Sequence, residues 1–376
     1  MLIPVDLARF WEDNEASLDK PFSTDKPQVP MTLRTTEGCV WEELGMELDP
    51  RYYEDPEVHV RINRLYNEKA EEIVGRKMLP EFHVPPEEQF PRPMRIEEVF
   101  GCEIRRIGGS ETIGGADWVE QSIHSTVELE ERLDNVHSLE LEEIVFPKGF
   151  FPALKRLREH YDLEPRLGDG IRGPVTAAMS ICGVENVILW LIDSPGLMDR
   201  FRDLLAEKIV ELCTLLRRAT DAPLRGFGFS DDNCAMLNPP LYERFGLPIL
   251  QHVFSVFSPD EDDRRYQHSD SAMGHLMPLL NQVRLNGANF GPTVRPEWIR
   301  EEMPHTVIYG QLAPFVFSRG TPQEIAEAVR RDIEAVADDG GLVVTTAGSV
   351  NPGSKLAGLR AVMSTIQTYG RYQPLD

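Results

Sequence analysis

The sequence predicts an α/β protein built as a (β/α)8 TIM barrel, with an N-terminal extension over residues 1–28 and a long insertion after the second strand. Three observations carry that expectation. From about Asp169 onward short β-type runs alternate with helical patterns, as in successive βα units on a parallel sheet. Two further strand candidates precede them and bring the count to eight, the number that closes such a barrel. No Gly-x-Gly-x-x-Gly follows any of these strands, which weakens the doubly wound, dinucleotide-binding alternative.

Residues 29–36 (VPMTLRTT) and 77–84 (KMLPEFHV) are the first two strand candidates, separated by a helical segment over Pro56–Val74. Residues 85–168 form the insertion, with Gly108-Gly109 and Gly114-Gly115 turns and little periodicity, and are expected to act as a lid over one mouth of the barrel. The remaining strands are expected within residues 169–177, 223–232, 264–270, 287–294, 306–315 and 340–350. Ser194-Pro195 opens a helix whose Leu197, Phe201, Leu204, Leu205 and Leu212 recur at helical spacing. Thr321-Pro322-Gln323-Glu324 is a capping-box start for a helix reaching about Ala337, and a last helix runs from about Lys355. All 376 residues are read as one domain.

With 62 acidic and 39 basic side chains the formal charge is -23, which repels a phosphate backbone and an anionic bilayer, so neither nucleic acid nor membrane is expected as a partner. The five cysteines, Cys39, Cys102, Cys182, Cys213 and Cys234, are scattered without a C-x-x-C pair, as suits a reducing cytoplasm. No signal peptide is legible in residues 1–20, and no apolar run approaches the roughly 20 residues of a membrane helix.

Polar groups at the carboxyl ends of barrel strands meet around one pocket, so candidate site residues can be read strand end by strand end. The first offers Arg34 and Glu37, the second His83, the third Arg172, the fourth Asp231 and Asp232, the fifth His268 and Asp270, the seventh Gln311 and the eighth Ser349. His268 and Asp270 stand two apart, a spacing that aims both into one pocket; they can bind a metal through N and O or act as an oriented base, while the plain alternative makes Asp270 a helix cap. Asp231 and Asp232 could be an acid–base pair, although neighbours on a strand face opposite sides. Arg34 and Arg172 suit a substrate carboxylate or phosphate, or a structural ion pair. Cys234 is read as packing before it is read as a ligand, and residues 261–265 (EDDRR) as a solvated loop edge.

These segments resemble the uroporphyrinogen decarboxylase superfamily from about Pro30 to Tyr372. The carriers are Gly173-Pro174-Val175-Thr176-Ala177, Asp231-Asp232, Pro240-Leu241-Tyr242-Glu243-Arg244-Phe245, His268-Ser269-Asp270, Gly320-Thr321-Pro322-Gln323-Glu324-Ile325 and Tyr369-Gly370-Arg371-Tyr372. The resemblance implies a barrel enzyme, either a decarboxylase or a corrinoid- or coenzyme M-linked methyltransferase. Of the residues it implies for decarboxylation, Arg34 matches the first arginine, whereas the second arginine, the aspartate and the histidine fall near Gly38, Val84 and Ser349. Of the zinc ligands it implies for a thiol-activating methyltransferase, His268 is kept, but Asp270 and Ser349 replace the cysteines.

The expectation is therefore a methyltransferase-like enzyme that moves a methyl group from a small substrate to a corrinoid on a separate protein, since no Asp-x-His-x-x-Gly corrinoid motif occurs in the chain. Zinc or another divalent metal is expected on His268 and Asp270, with Asp232 or Glu37, and a homodimer is the expected assembly. The rivals are a carboxy-lyase, with the arginines fixing a carboxylate, and a non-catalytic ligand-binding barrel.

Overall fold

The computed structural model describes residues 3–107 and 116–373. The Gly108-Gly109 and Gly114-Gly115 turns lie outside the described residues. Six strands form one all-parallel sheet in sequential order: β3 (Gly170–Arg172), β4 (Phe227–Ser230), β5 (Arg265–Ser269), β6 (Gly287–Phe290), β7 (Val307–Leu312) and β8 (Leu342–Thr346). Each falls inside its expected segment. Consecutive parallel order, with helices in every crossover, is the wiring of a (β/α)8 barrel rather than of a doubly wound sheet, whose strand order reverses at a switch point.

The first strand candidate lies on the far side of β8. Met31 bridges Val344 in parallel, the Thr32 amide donates to Val344 O at 3.1 Å, and the Val344 amide donates to Pro30 O at 2.8 Å. Residues 77–84 form no strand: the amides of Met78 and Leu79 donate instead to the Asn67 side chain, at 3.0 and 3.1 Å. A side-chain amide has there replaced a ladder partner, and alternation alone does not reveal that competition.

The helix Pro56–Val74 has the expected bounds, capped by Asp55 at one end and closed by Gly75 in the left-handed conformation at the other. Thr321 and Glu324 make the capping box of Pro322–Val336. Residues 169–177 divide, with β3 ending at Arg172 and a helix, Pro174–Cys182, beginning at once with Pro at its first turn. The insertion is more ordered than its composition suggests. It carries an antiparallel pair, β1 (Glu103–Ile107) with β2 (Ala116–Glu120), and the helices Thr126–His137 and Phe150–Tyr161. One hydrophobic cluster runs from Phe10 to Ile366 and joins the insertion to the barrel helices. Among the described residues no single helix is long and apolar enough to cross a membrane.

Candidate functional site

Side chains along β5 alternate between the helix layer and the interior of the sheet's curve. Gln267 and Ser269 are fully buried, whereas Tyr266 and His268 line a cavity of about 270 Å3 with Thr32, Asn289, Tyr309, Thr346 and Ser349. Continuing past the strand end, Asp270 joins His268, with Nε2 to Oδ1 at 3.0 Å. Asp232, just beyond β4, accepts the Asp270 amide on Oδ1 at 2.6 Å. Donor atoms of Asp232, His268 and Asp270 all lie within 4.8 Å of one another.

His268 is oriented from behind. Its Nδ1 lies 2.8 Å from Oδ1 of Asn289, whose amide nitrogen donates to Thr346 O at 2.9 Å and to Tyr309 O. With both amide hydrogens committed to carbonyls, the Asn289 oxygen can only accept, so the histidine proton sits on Nδ1. Nε2 is then the atom offered to Asp270 and Asp232. Without a cation, Asp270 as hydrogen-bond acceptor raises the His268 pKa above its ordinary value against the opposing effect of burial.

The three donors suit a divalent cation held by one nitrogen and two oxygens, a harder set than zinc–thiolate. Cys234, the nearest thiol in sequence, does not alter that, because it is fully buried and burial pushes its pKa well up. Space for the Asp270 carboxylate depends on Gly348. A Cβ there would lie 2.3 Å from Asp270 Oδ1, and Gly348 has φ +110°, a backbone conformation that disfavours side chains.

The other candidate residues are distributed differently. Ser349 is exposed and borders the His268 cavity, and Arg34 is exposed on the same alternating face as Thr32. Asp231 is fully buried at the start of the helix Pro174–Cys182, accepting from the Thr176 amide and hydroxyl, both at 2.8 Å, and from the Val175 amide at 3.4 Å. Burial pushes its carboxyl up to about 6 in spite of these bonds. Arg172 donates to Ser180 Oγ at 3.2 Å, faces Glu97 at 3.6 Å and borders a separate cavity of about 300 Å3. Gln311 is buried and donates to Val294 O at 2.5 Å, pinning the loop after β6.

Glu37 and His83 meet at another cavity, of about 400 Å3, closed by insertion residues Gln89, Phe90 and Leu157. His83 stacks on His59 with ring centroids 4.4 Å apart, and His59 Nε2 lies 3.9 Å from Glu37 Oε1. Burial raises the Glu37 pKa and lowers that of both histidines.

Sequence reasoning missed Asn289, Tyr266, Tyr309 and His59. Asn289 and Tyr309 sit inside expected strands, and period-two alternation from His268 would have selected Tyr266. The charged run is also more than a solvated edge. Glu261 pairs with Arg284, Asp263 with Arg225, and Arg265 donates to Ser258 O, while Arg264 stacks on Tyr266 with its guanidinium carbon 4.5 Å from the ring centroid.

Comparison with known proteins agrees with this architecture. No curated protein matches the chain. Among solved structures, a methyltransferase from Methanosarcina mazei superposes with a TM-score of 0.60 at 16% identity, covering 92% of this chain and 96% of that one. A B12-independent methionine synthase from Shewanella sp. W3-18-1, in complex with selenomethionine, gives a TM-score of 0.37 at 12% identity, over 82% of this chain and 86% of that one. The family described as Uroporphyrinogen decarboxylase (URO-D) matches residues 100–369, which include β3 to β8 and the Asp232–His268–Asp270 cluster. The chain belongs to the uroporphyrinogen decarboxylase family.

Proposed function

We propose that this barrel is a methyltransferase-like enzyme that takes a methyl group from a small methylated substrate and passes it to a corrinoid carried by a partner protein. The observation that carries the reading is the convergence of Asp232, His268 and Asp270, with the His268 tautomer set by Asn289. A divalent cation held by these three residues would supply Lewis acidity to an ether or hydroxyl oxygen, which would leave with the electron pair of its bond to the methyl carbon. His268 presents Nε2, Asp232 and Asp270 supply two carboxylates, and Tyr266 and Tyr309 wall the space beside them. The fold similarity to the M. mazei methyltransferase is compatible with this reading but does not carry it.

The lyase reading has less to stand on. By its resemblance to the family's decarboxylases, their second arginine, aspartate and histidine fall near Gly38, Val84 and Ser349, which leaves Arg34 as the one match of that set. Incubating the full chain, loaded in turn with zinc, manganese or cobalt(II), with O-methyl and N-methyl compounds and free cob(I)alamin separates the two. Methylcobalamin formation that falls by roughly 100-fold in His268→Ala and Asp270→Ala supports the proposal. Carbon dioxide release from a carboxylated substrate without corrinoid would replace it by the lyase.

A further inference from the structure

Arg264, Tyr266, His268 and Asp270 occupy alternate positions along β5 and the residues flanking it, one column of which Tyr266 and His268 line the cavity. The neighbouring column on β4 is nearly bare: Gly228 stands opposite Tyr266 and Ser230 opposite His268. The Arg264 side chain lies across Gly228, where an added Cβ would fall 2.7 Å from its Nη1. Its guanidinium packs on the Tyr266 face, and Tyr266 in turn meets Tyr309 edge-on with ring centroids 5.8 Å apart. Both tyrosines border the His268 cavity.

What Arg264 lacks is an anion. Among the described residues no carboxylate stands within ion-pair distance of it, and its guanidinium makes one hydrogen bond, a 3.5 Å contact to Asp169 O. Nearby Arg225 and Arg284 are both paired with carboxylates, and Arg265 is bound to backbone carbonyls. Arg264 remains exposed, held in place by an aromatic face and a glycine rather than by a counter-charge. In a chain with 62 acidic residues, an arginine left unpaired on a tyrosine that borders the cavity has its planar donor fork available for a ligand.

We propose that Arg264 anchors the substrate, and that the substrate is a small carboxylate whose anionic end sits on this guanidinium while its other end reaches His268. Arg264 precedes His268 by four residues, about 13 Å along a strand, and its side chain reaches over Gly228, level with Tyr266, so the anionic and reacting ends are roughly 7–13 Å apart. The neighbouring cation, Arg217, is committed to the carbonyls of Gly168, Pro223 and Gly226, which leaves one free guanidinium, a better match for a monoanion than for a phosphate. The proposal rests on the reading of Asp232, His268 and Asp270 as the reacting end.

The test is calorimetric titration of the full chain, with and without chelator, using benzoate, its neutral isostere benzamide, and inorganic phosphate as probes. Benzoate should bind at least tenfold more tightly than benzamide in chelated protein, so that coordination to a metal plays no part. Arg264→Gln should abolish that preference and Arg264→Lys should keep part of it, both with wild-type circular dichroism, while Arg34→Gln and Asp270→Asn retain it. Equal binding of benzoate and benzamide, an unchanged preference in Arg264→Gln, or binding of phosphate in place of benzoate would overturn the proposal. Loss of metal binding with the benzoate preference intact would instead sink the reading of the reacting end and leave the anchor standing.

Discussion

The Asn289 side-chain oxygen lies 2.8 Å from Nδ1 of His268, and the amide nitrogen of the same side chain spans two carbonyls, those of Tyr309 and Thr346. Two neighbouring strands thereby fix which imidazole nitrogen faces Asp270. Asn289→Ala should reduce divalent-metal affinity by roughly 10- to 100-fold while leaving all three candidate ligands in place. Titration with manganese or zinc checks this, and unchanged affinity would show that the tautomer is set elsewhere.

Gly348 provides a test that leaves every ligand unaltered. A methyl group at this position would lie 2.3 Å from Asp270 Oδ1, on a backbone with φ +110°. Gly348→Ala should displace the carboxylate and weaken metal binding by at least about tenfold, because site geometry tolerates shifts of only about 0.5 Å. Metal affinity equal to wild type would mean that Asp270 is not a ligand.

Asp231 and Asp232 are adjacent but should respond differently to substitution. Asp231, just beyond β4 and 55 residues from Thr176 in sequence, caps the amino end of the helix Pro174–Cys182. Asp231→Ala should lower the stability of the fold by about 1–3 kcal/mol, since it leaves buried amides without an acceptor. Asp231→Asn, which keeps an acceptor, should cost less than half of that, and Asp232→Asn should leave the urea midpoint unchanged while weakening metal binding.

Acid should loosen the Glu37–His83 region. His59 donates from Nδ1 to Tyr52 O at 3.2 Å and accepts from Asn63 on Nε2 at 3.0 Å, so its neutral form is the one bound. Burial lowers the pKa of both His59 and His83 below the ordinary 6.5. Unfolded chain then takes up protons before folded chain does. The stability these groups contribute is full above about pH 6.5 and is lost as the pH falls through their depressed values. Urea midpoints measured from pH 7.5 downward should decline below 6.5, and His59→Gln should flatten the decline. A midpoint independent of pH across that range would contradict this.

The parts of the fold that local chemistry specifies were legible in the sequence. Asp55 and Gly75 bracket one helix, Thr321 and Glu324 open another, and each of β3 to β8 falls inside a short β-type run between helical patterns. The errors come from distant partners. Residues 77–84 alternate like a strand, but Asn67 captures their amides, and the helix at Pro174 is capped by Asp231 rather than by a residue of its own turn. The site divides in the same way. His268 and Asp270 share one strand and therefore one face, which spacing alone reveals, whereas Asn289 and Arg264 acquire their roles from a neighbouring strand and from the emptiness over Gly228.

Whether Asp232, His268 and Asp270 hold one divalent cation is decided by metal analysis of the full chain purified without chelator. One equivalent of zinc, manganese or a similar ion per chain is expected, removed by chelator, restored by titration, and lost in His268→Ala and Asp270→Ala with the fold intact. A chain that binds no divalent ion at any of these steps, or a double His268→Ala/Asp270→Ala variant that binds it as wild type does, would show that the three side chains are not a metal site.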